Sequence, residues 1–446
     1  MRKIKILILV MAAVLLMGCK KENPQSIVTV TLWHVYGAQT ESPMNDMIDK
    51  FNDTVGKKEN IRVKVTSITN NNTIHENILS SAYQDPGAAE LPDMFVSYPK
   101  TVQAMPDEEA LVDYKDYFTE EELGEFVPEF LEEGNIDHKQ RIIPVAKSTE
   151  LLFLNKRAFD RFAAETGCTR EELSTWEGLY QMAEKYYQWT DEKTPEIEGD
   201  GKMFFALDSH FNYFQVGMDS IGESFFKEEN PDWENEAFQT VWDPYASAAL
   251  KGAMWLGEGY ATEPFQTGDA VVCEGSSASI LYFPDQVTYE DNTTEELEIE
   301  CLPFPVFEEG EKTVIQRGAG ICTVKSTPEK EEACITFLKW ITEEKNNVEL
   351  VVDLGYMPVL KSAFDHELEQ AVEELKDPEY VSLYQSYLKI QEEYKFYIPP
   401  KIASYLELEK DFENQIRLTL AKEREAYESE ETDVNLVWEE FKENMQ

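Results

Sequence analysis

From residue 27 onward the apolar positions follow two clear periods. In "IVTVTLWHVY" (27–36), Val28, Val30 and Leu32 alternate with threonines, which predicts a half-buried β-strand. "SPMNDMIDKFN" comes next. Ser42 is suited to cap a helix and Pro43 to its first turn. Met44, Met47, Ile48 and Phe51 fall at i, i+3, i+4 and i+7, one helical face. "IRVKV" (61–65) alternates again, a helix is predicted over 73–83, and "LPDMFVSY" (91–98) reads as a short apolar strand. The order β-α-β-α-β predicts an α/β fold with a largely parallel sheet. Farther on, Ser174 and Glu177 in "STWEGL" fit a capping box. "STPEKEEACITFLKWI" (326–341) offers Thr327 as cap, Pro328 at the first position, and Ala333, Phe337, Trp340 and Ile341 on one face. From Phe364 onward the pattern is mostly helical and very acidic, and no internal repeat is evident.

Residues before 27 carry a different signal. Arg2, Lys3 and Lys5 precede the apolar run "ILILVMAAVLLM" (6–17), which is too short for the roughly 20 residues that span a bilayer. A positive start, a short apolar core and a small-residue exit mark a secretory signal. The exit "LMGC" resembles the bacterial lipobox. That resemblance implies removal of residues 1–18, diacylation of Cys19 and a polar tether over 19–26. The protein would then work outside the cell, held at the membrane face by its lipid, since two acyl chains anchor stably where one does not. An ordinary signal peptide with an incidental cysteine is the plainer alternative.

Composition narrows the classes. A formal charge of −47 makes a surface that repels nucleic acid and anionic lipid head groups. An apolar fraction of 42% and an aromatic fraction of 12% argue against disorder. Cysteines stand at 19, 168, 273, 301, 322 and 334 with no C-x-x-C or zinc-ligand spacing. The five besides Cys19 read as buried free thiols, with one disulfide among the last four left open. HExxH, Walker A, GxSxG and GxGxxG are all missing from the sequence, so it points to no metal and no cofactor.

A set of motifs in fixed order carries a resemblance. "VTLWHVY…MNDMIDKFN", "LPDMFVSY", "IPVAKSTELLFLNKRAFD" (143–160), "STWEGL", "FQTGDAVVCEGSSAS" (265–279), "LPFPVFEEG" with "RGAG", and "LGYMPVLKSAF" follow one another along 27–410. Together they resemble the family 1 extracellular solute-binding proteins of ABC importers. The resemblance implies two α/β lobes joined by hinge crossings near 147–151, 299–302 and 355–359, with ligand in the cleft between. The lobes would be 27–147 plus 301–356, and 150–299 plus 357–446. It also implies a non-catalytic, monomeric carrier that hands a carbohydrate to the membrane subunits of an ABC permease.

Open α/β sheets bind ligands at the carboxyl ends of their strands. That rule puts Trp33, His34, Tyr36, Ser97, Tyr98, Thr149 and Glu150 around the cleft. Sugar rings present apolar faces to aromatic side chains and hydroxyls to fixed polar groups. Tyr36 and Tyr98 are expected to be exposed, and Trp33 either lines the cleft or packs in the core. Phe214, with Phe211 and Tyr213 in "HFNYF", either stacks on ligand or belongs to the core. Glu150 is either a ligand contact or half of an ion pair. Ser276 and Ser277 in "EGSSAS" offer hydroxyls and N–H groups, and Arg317 and Gly318 in "QRGAG" offer a cation and backbone donors. The alternative for Arg317 is an ion pair with surface carboxylates, and Tyr356 in "GYMP" matches a cleft position of the family. A cargo of glycerol phosphate or another polar metabolite is the alternative, although "KFYIPPKIASY" (395–405) holds Lys401 and no arginine. The remote rival is a secreted glycoside hydrolase, which would need two carboxylates at a defined separation.

Overall fold

The computed structural model describes residues 26–36, 42–67, 71–197, 199–402, 404–427 and 433–445. The signal segment, Cys19 and the tether up to residue 25 lie outside the described residues. Alternation at 27–36 forms strand β1 (Val28–His34), and the run at 61–65 forms β2 (Ile61–Ser67). Between them lies helix α1 (Pro43–Asp53), where the Ser42 side chain accepts from Asn45 N–H and Met44, Met47, Ile48 and Phe51 are buried. Helix α2 (Asn71–Ala82) leads to β3 (Met94–Ser97). The chain continues through α3 (Pro99–Gln103), α4 (Pro128–Glu133), β4 (Ile143–Pro144) and β5 (Ser148–Asn155). Then come β6 (Phe205–Ala206), α5 (His210–Ser220) and β7 (Val272–Ser276). The last elements used below are β8 (Ile299–Pro303), β9 (Thr313–Arg317), β10 (Gly320–Thr323), β11 (Lys395–Tyr397) and α6 (Tyr405–Tyr427).

Two sheets organise these strands. The first runs β2-β1-β3-β10-β4, with β1 parallel to β2 and β3, and β10 antiparallel to its neighbours. The second runs β11-β9-β5-β7-β6, with β8 also pairing with β5. Every residue of β5 is buried, because strands flank it on both sides and helices cover its faces. Each sheet has its own core. Phe51 meets Phe337 with ring centroids 5.2 Å apart in the first. Trp176, Phe211, Phe214, Trp242 and Phe412 fill the second. This is a mixed α/β two-lobe architecture.

Three stretches of chain pass between the lobes. Lys147 links β4 to β5, residues 318–319 link β9 to β10, and the third stretch lies around 355–357. Lys147 and Met357 exchange backbone hydrogen bonds of 3.1 and 2.5 Å, which ties the first stretch to the third. Gly318 has φ +94°, and a Cβ there would sit 2.8 Å from Ala146 O. Only glycine lets these two strands run so close.

Two sequence expectations need correction. Residues 301–317 belong with the second sheet: β8 and β9 both pair with β5, and Phe304, Phe307, Val314 and Ile315 lie in the second core. The middle crossing is therefore at 318–319 and not near 299–302, because pairing with β5 is a long-range contact with no local signature. The helix Trp176–Asp191 is capped by Thr175, whose side chain accepts from Gly178 N–H, in place of a Ser174–Glu177 box.

Candidate functional site

The crossings gather most of the side chains that the sequence singles out. Tyr36 is buried. Its hydroxyl donates to Ala319 O at 2.8 Å, and its ring meets Tyr356 edge-on at 5.7 Å. Tyr36 is thus a strut from the first lobe to the middle crossing, and the expectation that it is exposed is wrong. His34 is fully buried. Its Nδ1 accepts from Tyr36 N–H at 3.1 Å, which leaves Nε2 as the donor to Asn45 Oδ1 at 3.0 Å. Burial lowers its pKa to about 4, so it stays neutral and locks the end of β1 to α1. It offers nothing to a ligand. Trp33 points to the other face of β1 and packs half-buried against the first core.

Ser97 is buried, pairs across the sheet with Gly320, and donates from Oγ to Tyr98 O at 3.2 Å. Tyr98 is half-buried at the N-terminus of α3, with the Lys100 ammonium 5.9 Å from its ring centre. Its hydroxyl lies near enough to Arg317 and Tyr356 to influence their ionisation. Tyr356 is itself half-buried. Both tyrosines thus lie on the first-lobe side, close to the crossings.

The second-lobe side is polar. Arg317 pairs with Ser148 across β9 and β5, and its Nη1 lies 3.0 Å from Glu150 Oε1. Register puts Ser276 opposite Glu150, so Glu150, Glu274, Ser276 and Arg317 share one face of the sheet. Asn212 on α5 donates to the same Glu150 oxygen at 2.6 Å. Asp208 N–H donates to Glu274 Oε2 at 3.0 Å, and Asp208 Oδ1 accepts from Ala261 N–H at 3.1 Å. Burial raises Glu150 to about 7 against the opposing pull of Arg317, and burial beside Glu150 and Asp208 pushes Glu274 well up. The carboxylates in turn hold the Arg317 pKa above its ordinary value despite its burial. The Arg317 side chain as a whole remains about one-third exposed, whereas the Glu150 side chain is 1% exposed. Arg317 therefore faces the interlobe space and Glu150 sits behind it, orienting it. Glu150 is thus half of a buried ion pair.

Other expected positions divide the same way. Ser276 is half-buried and caps the short helical turn Ser277–Tyr282 through Ala278 N–H at 3.4 Å. Ser277 is fully buried, and its Oγ accepts from Thr149 N–H at 3.4 Å. Thr149 is buried as well, with its hydroxyl donating to Ile315 O at 2.7 Å. Ser277 and Thr149 thus knit the second lobe together. The Gly318 carbonyl accepts from the buried Lys147 ammonium, which also pairs with Glu133. Phe214 is in the core, among Tyr213, Tyr245 and Phe412 at 5.1 to 5.5 Å, and does not line the interlobe space. Helix α5 is buried on nearly its whole circumference, so none of its rings is free to stack.

Sequence reasoning missed Lys147 as a buried link, and Asp208, Asn212 and Glu274 altogether. A signal existed for two of them. Lys147 ends the apolar run "IPVA", and Glu274 sits on the same strand face as Val272 in "VVCEGS". Tyr282, 64% exposed and near Tyr356, is a further aromatic beside the third crossing. Among the described residues no group of three or more His, Cys, Asp and Glu side chains is arranged to hold a metal ion. The five described cysteines are free and buried.

The model of the bacterial extracellular solute-binding protein family matches residues 46–378. The chain belongs to that family. Its fold is shared with the cyclic α-maltosyl-1,6-maltose binding protein of Arthrobacter globiformis (TM-score 0.69, 19% identity, covering 94% of this chain and 98% of that one). It is shared with the ABC substrate-binding protein Lmo0181 of Listeria monocytogenes, solved with cycloalternan (0.68, 14%, 94% and 98%). It is shared too with UgpB of Mycobacterium tuberculosis, solved with glycerophosphocholine (0.67, 16%, 94% and 97%). No curated protein matches the sequence. No helix among the described residues is long and apolar enough to cross a membrane.

Proposed function

We propose that this solute-binding protein captures an uncharged saccharide between its lobes and delivers it to an ABC permease, without chemical turnover. The observation that carries the reading is the pairing of the site. Tyr98 and Tyr356 present half-buried rings on one side, and Ser276 and Arg317 present polar groups on the other. Rings that cover the apolar face of a pyranose, opposite donors that bond its hydroxyls, suit a sugar. The family membership and the saccharides bound by the Arthrobacter and Listeria neighbours support it. The lobes we assign are 27–147 plus 319–356, and 148–318 plus 357–446, closing about the three crossings.

The glycerol-phosphate alternative fits less well. Each cation near the site is already engaged: Arg317 with Glu150, Lys147 with Glu133, Lys100 with Glu409, and Lys401 with backbone carbonyls. A phosphate would have to displace one of them. A hydrolase is disfavoured because the carboxyls with raised pKa at this site, Glu150 and Glu274, are buried out of reach of a scissile bond. The protein would act as a monomer at the outer membrane face, anchored by lipid on Cys19.

A melting-temperature panel tests the reading, since a ligand that binds only the native state raises the transition. Neutral mono- to tetrasaccharides are compared with glycerophosphocholine and glycerol 3-phosphate. A rise with one saccharide class and none with the phosphate esters is expected. A rise confined to the phosphate esters would overturn the cargo assignment. For the anchor, Cys19→Ser should shift the protein from the membrane fraction to the soluble one, or leave it unprocessed. Membrane retention at wild-type level and mass would refute the lipid.

A further inference from the structure

One of the contacts between the lobes away from the crossings centres on Lys401. The segment 398–402 follows β11, which runs parallel to β9. Both strands end where Arg317 faces the interlobe space, so this segment emerges on the ligand side. Lys401 Nζ donates to Glu132 O at 2.7 Å and to Asn135 O at 2.6 Å, carbonyls at and just beyond the C-terminal end of α4 in the first lobe. The Lys401 carbonyl accepts from Gln103 Nε2 at 3.0 Å, at the end of α3. Beside it, Phe130 meets Phe396 at 5.0 Å, and Lys100 pairs with Glu409 at 3.5 Å.

The same contact carries a defect. Gln103 Oε1 and Asn135 Oδ1 are both buried there without a hydrogen-bond partner. Buried acceptors left unpaired regain their hydration when the surfaces part. The closed contact is therefore held by the lysine and opposed by its own neighbours, the balance expected of a latch that releases.

We propose that Lys401 is a positioning residue for ligand capture: by bridging the second lobe to the carbonyls after α4, it sets how closed the lobes are before any ligand arrives. A residue of this kind changes affinity without touching ligand, because apparent affinity scales with the population of the competent state. The inference rests on the two-lobe reading of the site but not on the identity of its cargo.

Small-angle X-ray scattering of the purified, ligand-free protein tests it with no saccharide present. Wild type is compared with Lys401→Met, Lys401→Gln and Lys401→Arg, and melting curves confirm that each variant folds. A compact chain of this size has a radius of gyration of about 22 Å, and lobe opening in Lys401→Met should raise it by roughly 0.5–1 Å. Lys401→Arg, which still donates to the same carbonyls, should match wild type, and Lys401→Gln, which cannot span them, should move the same way as Lys401→Met. If Lys401→Met does not fold, Lys401→Gln, whose amide is too short to span both carbonyls, carries the test. Scattering identical to wild type in a folded variant that lacks the bridge would overturn the proposal, even if its melting point fell, because Lys401 would then be structural only. A saccharide panel that came back negative would leave this result standing.

Discussion

Replacing Arg317 by alanine removes the guanidinium that faces Glu150, Asp208 and Glu274. In the wild type, burial already raises Glu150 to about 7 from its ordinary 4.5. Between those values the folded state keeps a proton that the unfolded chain has released, so stability falls as pH rises through this window and levels off above it. Arg317 lowers the Glu150 pKa, so its loss pushes the folded value higher and extends the fall beyond pH 7. At pH 5 Glu150 is neutral in both proteins, and Arg317→Ala should cost about 1 kcal/mol, one hydrogen bond to a largely protonated carboxyl. Above pH 7 the penalty should grow by up to about 1.4 kcal/mol per pH unit, reaching about 3–4 kcal/mol at pH 9. Urea denaturation at pH 5, 7 and 9 reads both curves directly. Arg317→Ala combined with Glu150→Gln should abolish the added slope. A loss that is the same at all three pH values would refute the buried-pair reading and the orienting role of Glu150.

Three further substitutions separate site from scaffold. Tyr98→Ala should weaken binding of the saccharide found in the melting panel by about tenfold, roughly 1.4 kcal/mol by calorimetric titration, with little change in unfolding free energy; intact affinity would remove Tyr98 from the site. Phe214→Ala should lower stability by about 3–5 kcal/mol in chemical denaturation, as for a core ring; a near-neutral result would return Phe214 to the list of exposed stackers. Gly318→Ala forces a side chain into φ +94° and against Ala146 O, and should cost about 2 kcal/mol or more; unchanged melting would show that the middle crossing tolerates a Cβ.

Local pattern carried much of the fold because local physics decides it. The alternation of β1, the face made by Met44, Met47, Ile48 and Phe51, and the Ser42 cap depend on residues within a few positions of one another. The middle crossing did not yield, because β8 and β9 owe their lobe to pairing with β5, about 150 residues earlier in the chain. At the site, strand ends identified Tyr36, Tyr98 and Arg317 as neighbours of the crossings, yet side-chain direction was not readable. Tyr36 turns inward to Ala319 O, while Arg317 stays partly in solvent because Glu150 and Asn212 occupy the space behind it. The burial of Phe214 could have been read from the chain, since "HFNYFQVGM" is apolar around most of a helix and such helices are enclosed.

The central claim is that one ligand is held by both lobes at the crossings. Hydrogen–deuterium exchange of the protein, with and without the saccharide that stabilises it most, tests this directly. New protection is expected in both lobes at once: around 97–99 and 355–357 on one side, and around 274–277 and 316–319 on the other. Protection confined to one lobe, or located away from these segments, would contradict it.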